Sequence, residues 1–206
     1  MKDKLNQETD PGSATLVRVR IIYEKRGGAC FVPHVSLAQV FIRSAFRINL
    51  NFEMTQGFSP RPKMSFGPEL PAGVVALREP VDIYLKDSQD IDILKWNEAM
   101  PEGFKILDYE IIEHDAPALG KVCKKAVYWL RGKFLIHDLI NQAKLYFNQE
   151  ILDYKIVLDD AKNEWLEVLI NAPAQNGIGG FVKNLVNNNF ITGWQDINIV
   201  RVKLIN

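Results

Sequence analysis

His34, Arg43, Arg47, Gln56, Ser59, Arg61 and Lys63 are the side chains whose types and spacing suit chemistry or recognition. Four of them fall in the stretch 56–73, QGFSPRPKMSFGPELPAG, which holds three glycines and four prolines. Proline fixes φ and removes an amide donor, and glycine permits positive φ, so this stretch cannot be helical. Phe58, Met64, Phe66 and Leu70 call for burial, and the polar residues are interleaved with them. The pattern reads as a stiff, partly buried loop that presents a guanidinium and an ammonium at a set position. A planar fork beside a point charge suits phosphate. A structural Pro/Gly turn with two solvated charges satisfies the same residues.

Arg43 and Arg47 are four apart on an amphipathic segment and share a helix face. If that helix and the loop pack on one side, Arg43, Arg61 and Lys63 converge. Phe31, Phe58 and Phe66 are aromatics of the kind on which bases stack, although core burial is the commoner fate of such residues. His34 stands at the helix entry FVPHVSL (31–37), where it or Ser36 would cap the first turn. The helix dipole disfavours its protonated form, which suits a base or a hydrogen-bond donor.

Other motifs carry less. Asn176-Gly177-Ile178-Gly179-Gly180 precedes the last helix and could cradle phosphate, but it is neither a dinucleotide fingerprint nor a P-loop. His137 beside Asp138 reads as a helix-start cap, His114 is isolated, and Asp82 and Asp108 lie in strands without an evident partner. Cys30 and Cys123 are the only cysteines, too few for a thiolate metal or iron–sulfur site and suited to a reducing compartment. No metal site and no cofactor are expected. The net charge is zero, so any polyanion site must be local. Residues 1–15 are polar and read as a frayed tail, and no apolar run approaches the roughly 20 residues that span a bilayer. A cytoplasmic protein without a membrane partner is expected.

The elements that must position these residues follow from hydrophobic period. Alternation predicts strands over 16–24, 81–85, 104–113, 126–134, 154–158, 165–170 and 197–205, with a short one at 51–54. Helical spacing predicts helices over 36–50, 90–100, 136–148 and 181–189. DAPALGK, 115–121, reads as a linker. The order is β-α-β-β-α-β twice over, which predicts an α+β chain of two consecutive ferredoxin-like units with antiparallel sheets, at 16–114 and 122–206.

The first of these halves resembles the radical SAM-linked protein family, a bacterial domain of unknown function found beside or fused to radical SAM enzymes. The resemblance rests on FVPHVSL at 31–37, FIRSAFR at 41–47 and TQGFSPRPKMSFGPELPAG at 55–73, and covers about 16–86 well. The family tends to serine at Pro33, aspartate at Ser36 and arginine at Gln39, so this chain departs from it there. The resemblance implies a radical SAM enzyme as partner and does not supply a reaction; this chain lacks cluster-binding cysteines, so any radical chemistry belongs to that partner. The function expected is a non-catalytic accessory module that presents an anionic substrate such as RNA. Arg61 and Lys63 would contact phosphate, Arg43 and Arg47 support them, and His34, Gln56 and Ser59 add hydrogen bonds. The alternatives are a metal-independent RNA-cleaving or RNA-modifying enzyme using His34, and a structural adaptor docking on the partner enzyme.

Overall fold

The computed structural model describes residues 16–86 and 90–205, so the polar stretch 1–15 lies outside the described residues. The first half runs β1 (Leu16–Lys25), α1 (His34–Arg47), β2 (Met64–Phe66), β3 (Val75–Lys86), α2 (Ile93–Ala99) and β4 (Phe104–Ile112). A short α3 (Leu119–Val122) follows. The second half runs β5 (Lys125–Gly132), α4 (Ile136–Phe147), β6 (Ile151–Leu158), β7 (Glu164–Asn171), α5 (Ile178–Asn187) and β8 (Ile197–Ile205). The fold is α+β, and its strands pair mostly antiparallel. Among the described residues no helix is long and apolar enough to cross a membrane.

The expectation of wholly antiparallel sheets is corrected. All strands join one eight-stranded sheet, in the order β4-β1-β3-β8-β5-β7-β6, with β2 also on β3. β3 and β8 pair in parallel, Val75 opposite Val200 and Ala76 opposite Arg201. The cause is the length of β3. It extends well before Val81, because Glu79 is buried by a partner and so does not end the strand. Its first residues reach β8, and its later ones carry β2, Met64 opposite Ile83. The expected strand at 51–54 is reduced to two isolated bridges, Phe52 with Leu85 and Met54 with Pro62.

Alternation in β1 sends Val19, Ile21 and Tyr23 into a core with Leu37, Phe41 and Ala45 of α1, Ile83 and Leu85 of β3, and Trp96 of α2. A second core joins Tyr128 and Leu130, Leu139 and Ala143, Val168 and Ile170, and Phe181 and Leu185. Leu70, Val74 and Ala76, just beyond the proline-rich loop, belong to this second core. The chain between β2 and β3 therefore ties the first half to the second by burial of apolar surface.

Local signals explain most element ends. Asp92 caps α2, accepting from the amides of Leu94 and Lys95 at 3.0 and 3.1 Å. α1 differs from expectation. Pro33 occupies its N-cap, and neither His34 nor Ser36 caps it with a side chain. α4 likewise has Leu135 at its N-cap and no side-chain cap, in place of the cap expected from His137 beside Asp138.

Candidate functional site

The proline-rich stretch opens as a tongue. Lys63 donates its amide to the Glu53 carbonyl, and Thr55 donates to the Arg61 carbonyl, both at 2.8 Å. The Arg61 amide donates to Thr55 Oγ1 at 3.0 Å. Its base is fastened to β3, because Glu53 donates to Tyr84 O at 2.8 Å and Tyr84 to Lys63 O at 3.2 Å. Pro60 and Pro62 stiffen the returning limb. Gly57 takes a φ of +125° at the turn, a conformation L side chains rarely adopt. Gln56, Ser59 and Arg61 are exposed on the tip. Phe58 stands out from it with 109% relative exposure.

That exposure corrects the expectation that the phenylalanines are core residues. Phe31 is 71% exposed as well, and of the three only Phe66 packs against the first core. The structural cause is the hairpin turn, which carries 56–60 beyond the sheet.

The expected cationic cluster does not assemble. Lys63 Nζ pairs with Glu53 at 2.8 Å and lies 4.3 Å from the centroid of the Tyr84 ring. Tyr84 alternates with Ile83 and Leu85, which point into the first core, so Lys63 lies on the sheet face away from α1. Arg43 and Arg47 are on α1. Arg47 Nη1 donates to the Ala99 carbonyl at 2.9 Å, at the end of α2, and Arg43 is exposed. Arg61 is therefore the expected cation that remains at the tongue tip.

His34 sits apart from the tongue. Its ring packs edge-on against Phe66, centroids 5.6 Å apart, and Nδ1 is buried without a hydrogen-bond partner. Burial lowers its pKa, the nearby Glu69 charge opposes this, and the net effect favours neutral imidazole. A general base needs a group that fixes its tautomer, and none reaches Nδ1 here. Burial also raises the thiol pKa of both cysteines, to about 11 for Cys123, which leaves neither as a nucleophile near neutral pH. No group of three or more His, Cys, Asp or Glu side chains suited to a metal occurs among the described residues.

Three polar assemblies were not legible in the sequence. Asp82, read as partnerless, accepts from Arg18 Nη2 at 2.6 Å and from Arg20 Nε at 2.8 Å. Arg18 also donates to the carbonyls of Ala116 and Pro117 and so fastens the linker to the sheet. Arg18 and Arg20 are thus structural rather than solvated. Lys25 is buried near the carbonyls of Cys30 and Val32, and holds the turn that leads into α1. Arg201 forms a two-pronged pair with Glu79 and donates to the carbonyls of Pro68 at 3.0 Å and Glu69 at 3.2 Å. The signal for Asp82 was its period in β3, but strand register was needed to place it opposite Arg20.

The glycine run was expected to precede the last helix, but α5 starts at Ile178, so Gly179 and Gly180 lie in its first turn, where they have a packing cause. A Cβ at Gly179 would lie 3.2 Å from Pro71 Cγ, and one at Gly180 would collide with the Tyr146 hydroxyl. Glu69 lines the same hollow, and its carboxylate disfavours phosphate there.

A family model described as "Uncharacterized protein conserved in bacteria (DUF2344)" matches residues 18–172. The chain belongs to this family. The matched span runs from β1 through β7 and so includes α1, the tongue and the linker. No curated protein matches the chain. A solved structure titled "Crystal Structure of an Unknown Protein from Galdieria sulphuraria" is similar at 10% identity, over 92% of this chain and 100% of that one, with a TM-score of 0.27.

Proposed function

We propose that the chain is a non-catalytic recognition module. The tongue at 52–63 engages single-stranded RNA, with Phe58 stacking on a base and Arg61 pairing with an adjacent phosphate. The observation that carries this reading is the full exposure of Phe58 on a fastened hairpin, next to an exposed arginine. An exposed aromatic ring gains from stacking on a base, by roughly 1–3 kcal/mol per contact. The zero net charge agrees with a contact that is local. Lys63 supports the tongue from below rather than touching phosphate. Arg43 and Arg47 lie outside this contact, and Gln56 and Ser59 offer hydrogen bonds beside Phe58.

The resemblance of 31–37, 41–47 and 55–73 to the radical SAM-linked family supports a radical SAM enzyme as the partner that acts on the bound substrate. The fold reading that accompanies this is two ferredoxin-like units at 16–114 and 122–206. The orders β4-β1-β3-β2 and β8-β5-β7-β6 within the sheet support it.

Fluorescence anisotropy with a labelled single-stranded RNA tests the proposal. Phe58→Ala and Arg61→Ala should each weaken binding, and Arg61→Ala should reduce the log–log salt slope by about 0.7. Unchanged RNA affinity in both variants would remove the tongue as the RNA contact. Loss of capture of the radical SAM partner by the same variants would then assign the tongue to adaptor docking instead.

A further inference from the structure

The second half adds aromatic surface that the tongue does not explain. Phe31, at the turn before α1, Trp165, in β7, and Trp194, in the turn before β8, line one cavity of about 540 Å³. Phe31 is 71% exposed and Trp194 41%. Asn198 lines the same cavity beside Gln195, whose side-chain amide donates to Thr192 Oγ1 at 2.9 Å, and among the described residues none that lines it is charged. The cavity joins the halves, because Phe31 and Gly73 come from the first and the tryptophans from the second.

The indole of Trp165 is held in place. Its Nε1 donates to Asp159 Oδ2 at 3.0 Å, and this bond, with others from Asn163, holds the Asp159 pKa down at about 2. Trp129 stands 6.3 Å away and donates its own Nε1 to Glu167 at 2.6 Å. The Arg131 guanidinium lies 5.8 Å from the Trp165 ring centroid, so the exposed rings of Phe31 and Trp194 supply the aromatic surface open to a ligand. The turn under Trp194 is also fixed, since Asp196 accepts from the amide and hydroxyl of Thr192 at 2.7 and 2.6 Å. Exposed aromatic rings, the amide side chain of Asn198 and a lining without charged residues fit a flat, uncharged ring that carries donors and acceptors on its edge. That description matches a nucleobase, and the volume lies within the ~300–1,000 Å³ of small-molecule sites.

We propose that this cavity receives one unstacked nucleobase, stacked on indole and read along its edge by Asn198. The choice of ligand rests on the reading of the chain as an RNA-binding module; the geometry does not depend on the tongue. The test titrates the full chain with each of the four nucleoside 5′-monophosphates, without RNA. The chain has four tryptophans, and their indole N–H signals in ¹⁵N–¹H spectra report the site. The Trp165 and Trp194 signals should shift saturably with at least one nucleotide and stay fixed with ribose 5-phosphate. Phe31→Ala and Asn198→Ala should each weaken that binding by roughly tenfold, the scale of one lost base contact. No saturable shift, an equal response to ribose 5-phosphate, or tighter binding of a glucose oligosaccharide would overturn the proposal. A tongue that does not touch RNA leaves nucleotide binding intact, and an empty cavity leaves the effects of Phe58→Ala and Arg61→Ala on RNA intact, so the two failures read separately.

Discussion

Arg201 on β8 and Glu79 on β3 form a two-pronged ion pair with side-chain exposures of 1% and 3%. Burial of the guanidinium opposes its charge, and the Glu79 carboxylate outweighs that, so the Arg201 pKa is raised. The same guanidinium holds the carbonyls of Pro68 and Glu69. One residue of the second half thus fixes both the long strand β3 and the end of the proline-rich stretch. Removing one member of a buried pair strands the other, at a cost of about 3–5 kcal/mol. Glu79→Gln and Arg201→Met should each lower unfolding free energy in urea by that amount. The double variant Glu79→Met/Arg201→Met should recover much of the loss. Independent, additive losses would show that the two residues do not act as a pair.

Trp96 donates Nε1 to Ser44 Oγ at 2.9 Å, with both residues fully buried. Ser44→Ala leaves that donor without a partner inside the first core, which costs about 1–3 kcal/mol. Urea unfolding measures it, and a loss below about 0.5 kcal/mol, the scale of a surface substitution, would contradict the bond's role.

His34 predicts an acid-side loss of stability. Its folded pKa is lowered by burial, so the unfolded chain binds a proton that the folded chain excludes. The contribution is fully present above the ordinary histidine value of about 6.5 and is lost as pH falls through the folded pKa. Unfolding free energy measured between about pH 5 and 7 should therefore rise with pH, and His34→Gln should flatten the rise. The depressed carboxylates, Glu53 and Asp159 among them, titrate below this window. An unchanged slope in His34→Gln would place the pH dependence elsewhere.

The element order was legible because hydrophobic period is a local property. Ile197–Ile205 was bounded at the residues observed, and α4 differs from 136–148 by one. What period cannot supply is register and pairing partners. Asp82 had no evident partner, and it forms one assembly with Arg18 and Arg20 because β1 and β3 align Arg20 with Asp82. Glu79 hid the length of β3, since a glutamate signals exposure unless its arginine, 122 positions on, is known. The loop at 56–73 was legible as non-helical. Its shape was not, because whether Phe58 turns inward or outward depends on the bonds between Thr55 and Arg61 and on the fastening to Tyr84. The indoles of Trp165 and Trp194 were hidden for the same reason: a strand and a sequence-distant turn bring them to one cavity.

Substitutions at the tongue tip should separate binding from folding. Phe58 and Arg61 are exposed, so Phe58→Ala and Arg61→Ala should move unfolding free energy by less than about 0.5 kcal/mol. Lys63→Ala removes the partner of Glu53 and the contact with Tyr84, and should shift stability more than Arg61→Ala. Equal effects on stability would mean that Lys63 does not brace the tongue.

Cross-linking tests the central claim most directly. A single-stranded RNA carrying 4-thiouridine is bound to the full chain, irradiated and digested, and the modified peptides are mapped by mass spectrometry. The tongue should carry the cross-link at Phe58 or its immediate neighbours, and excess unlabelled RNA should suppress it. Cross-links confined to other segments, with 56–61 unmodified, would contradict the account.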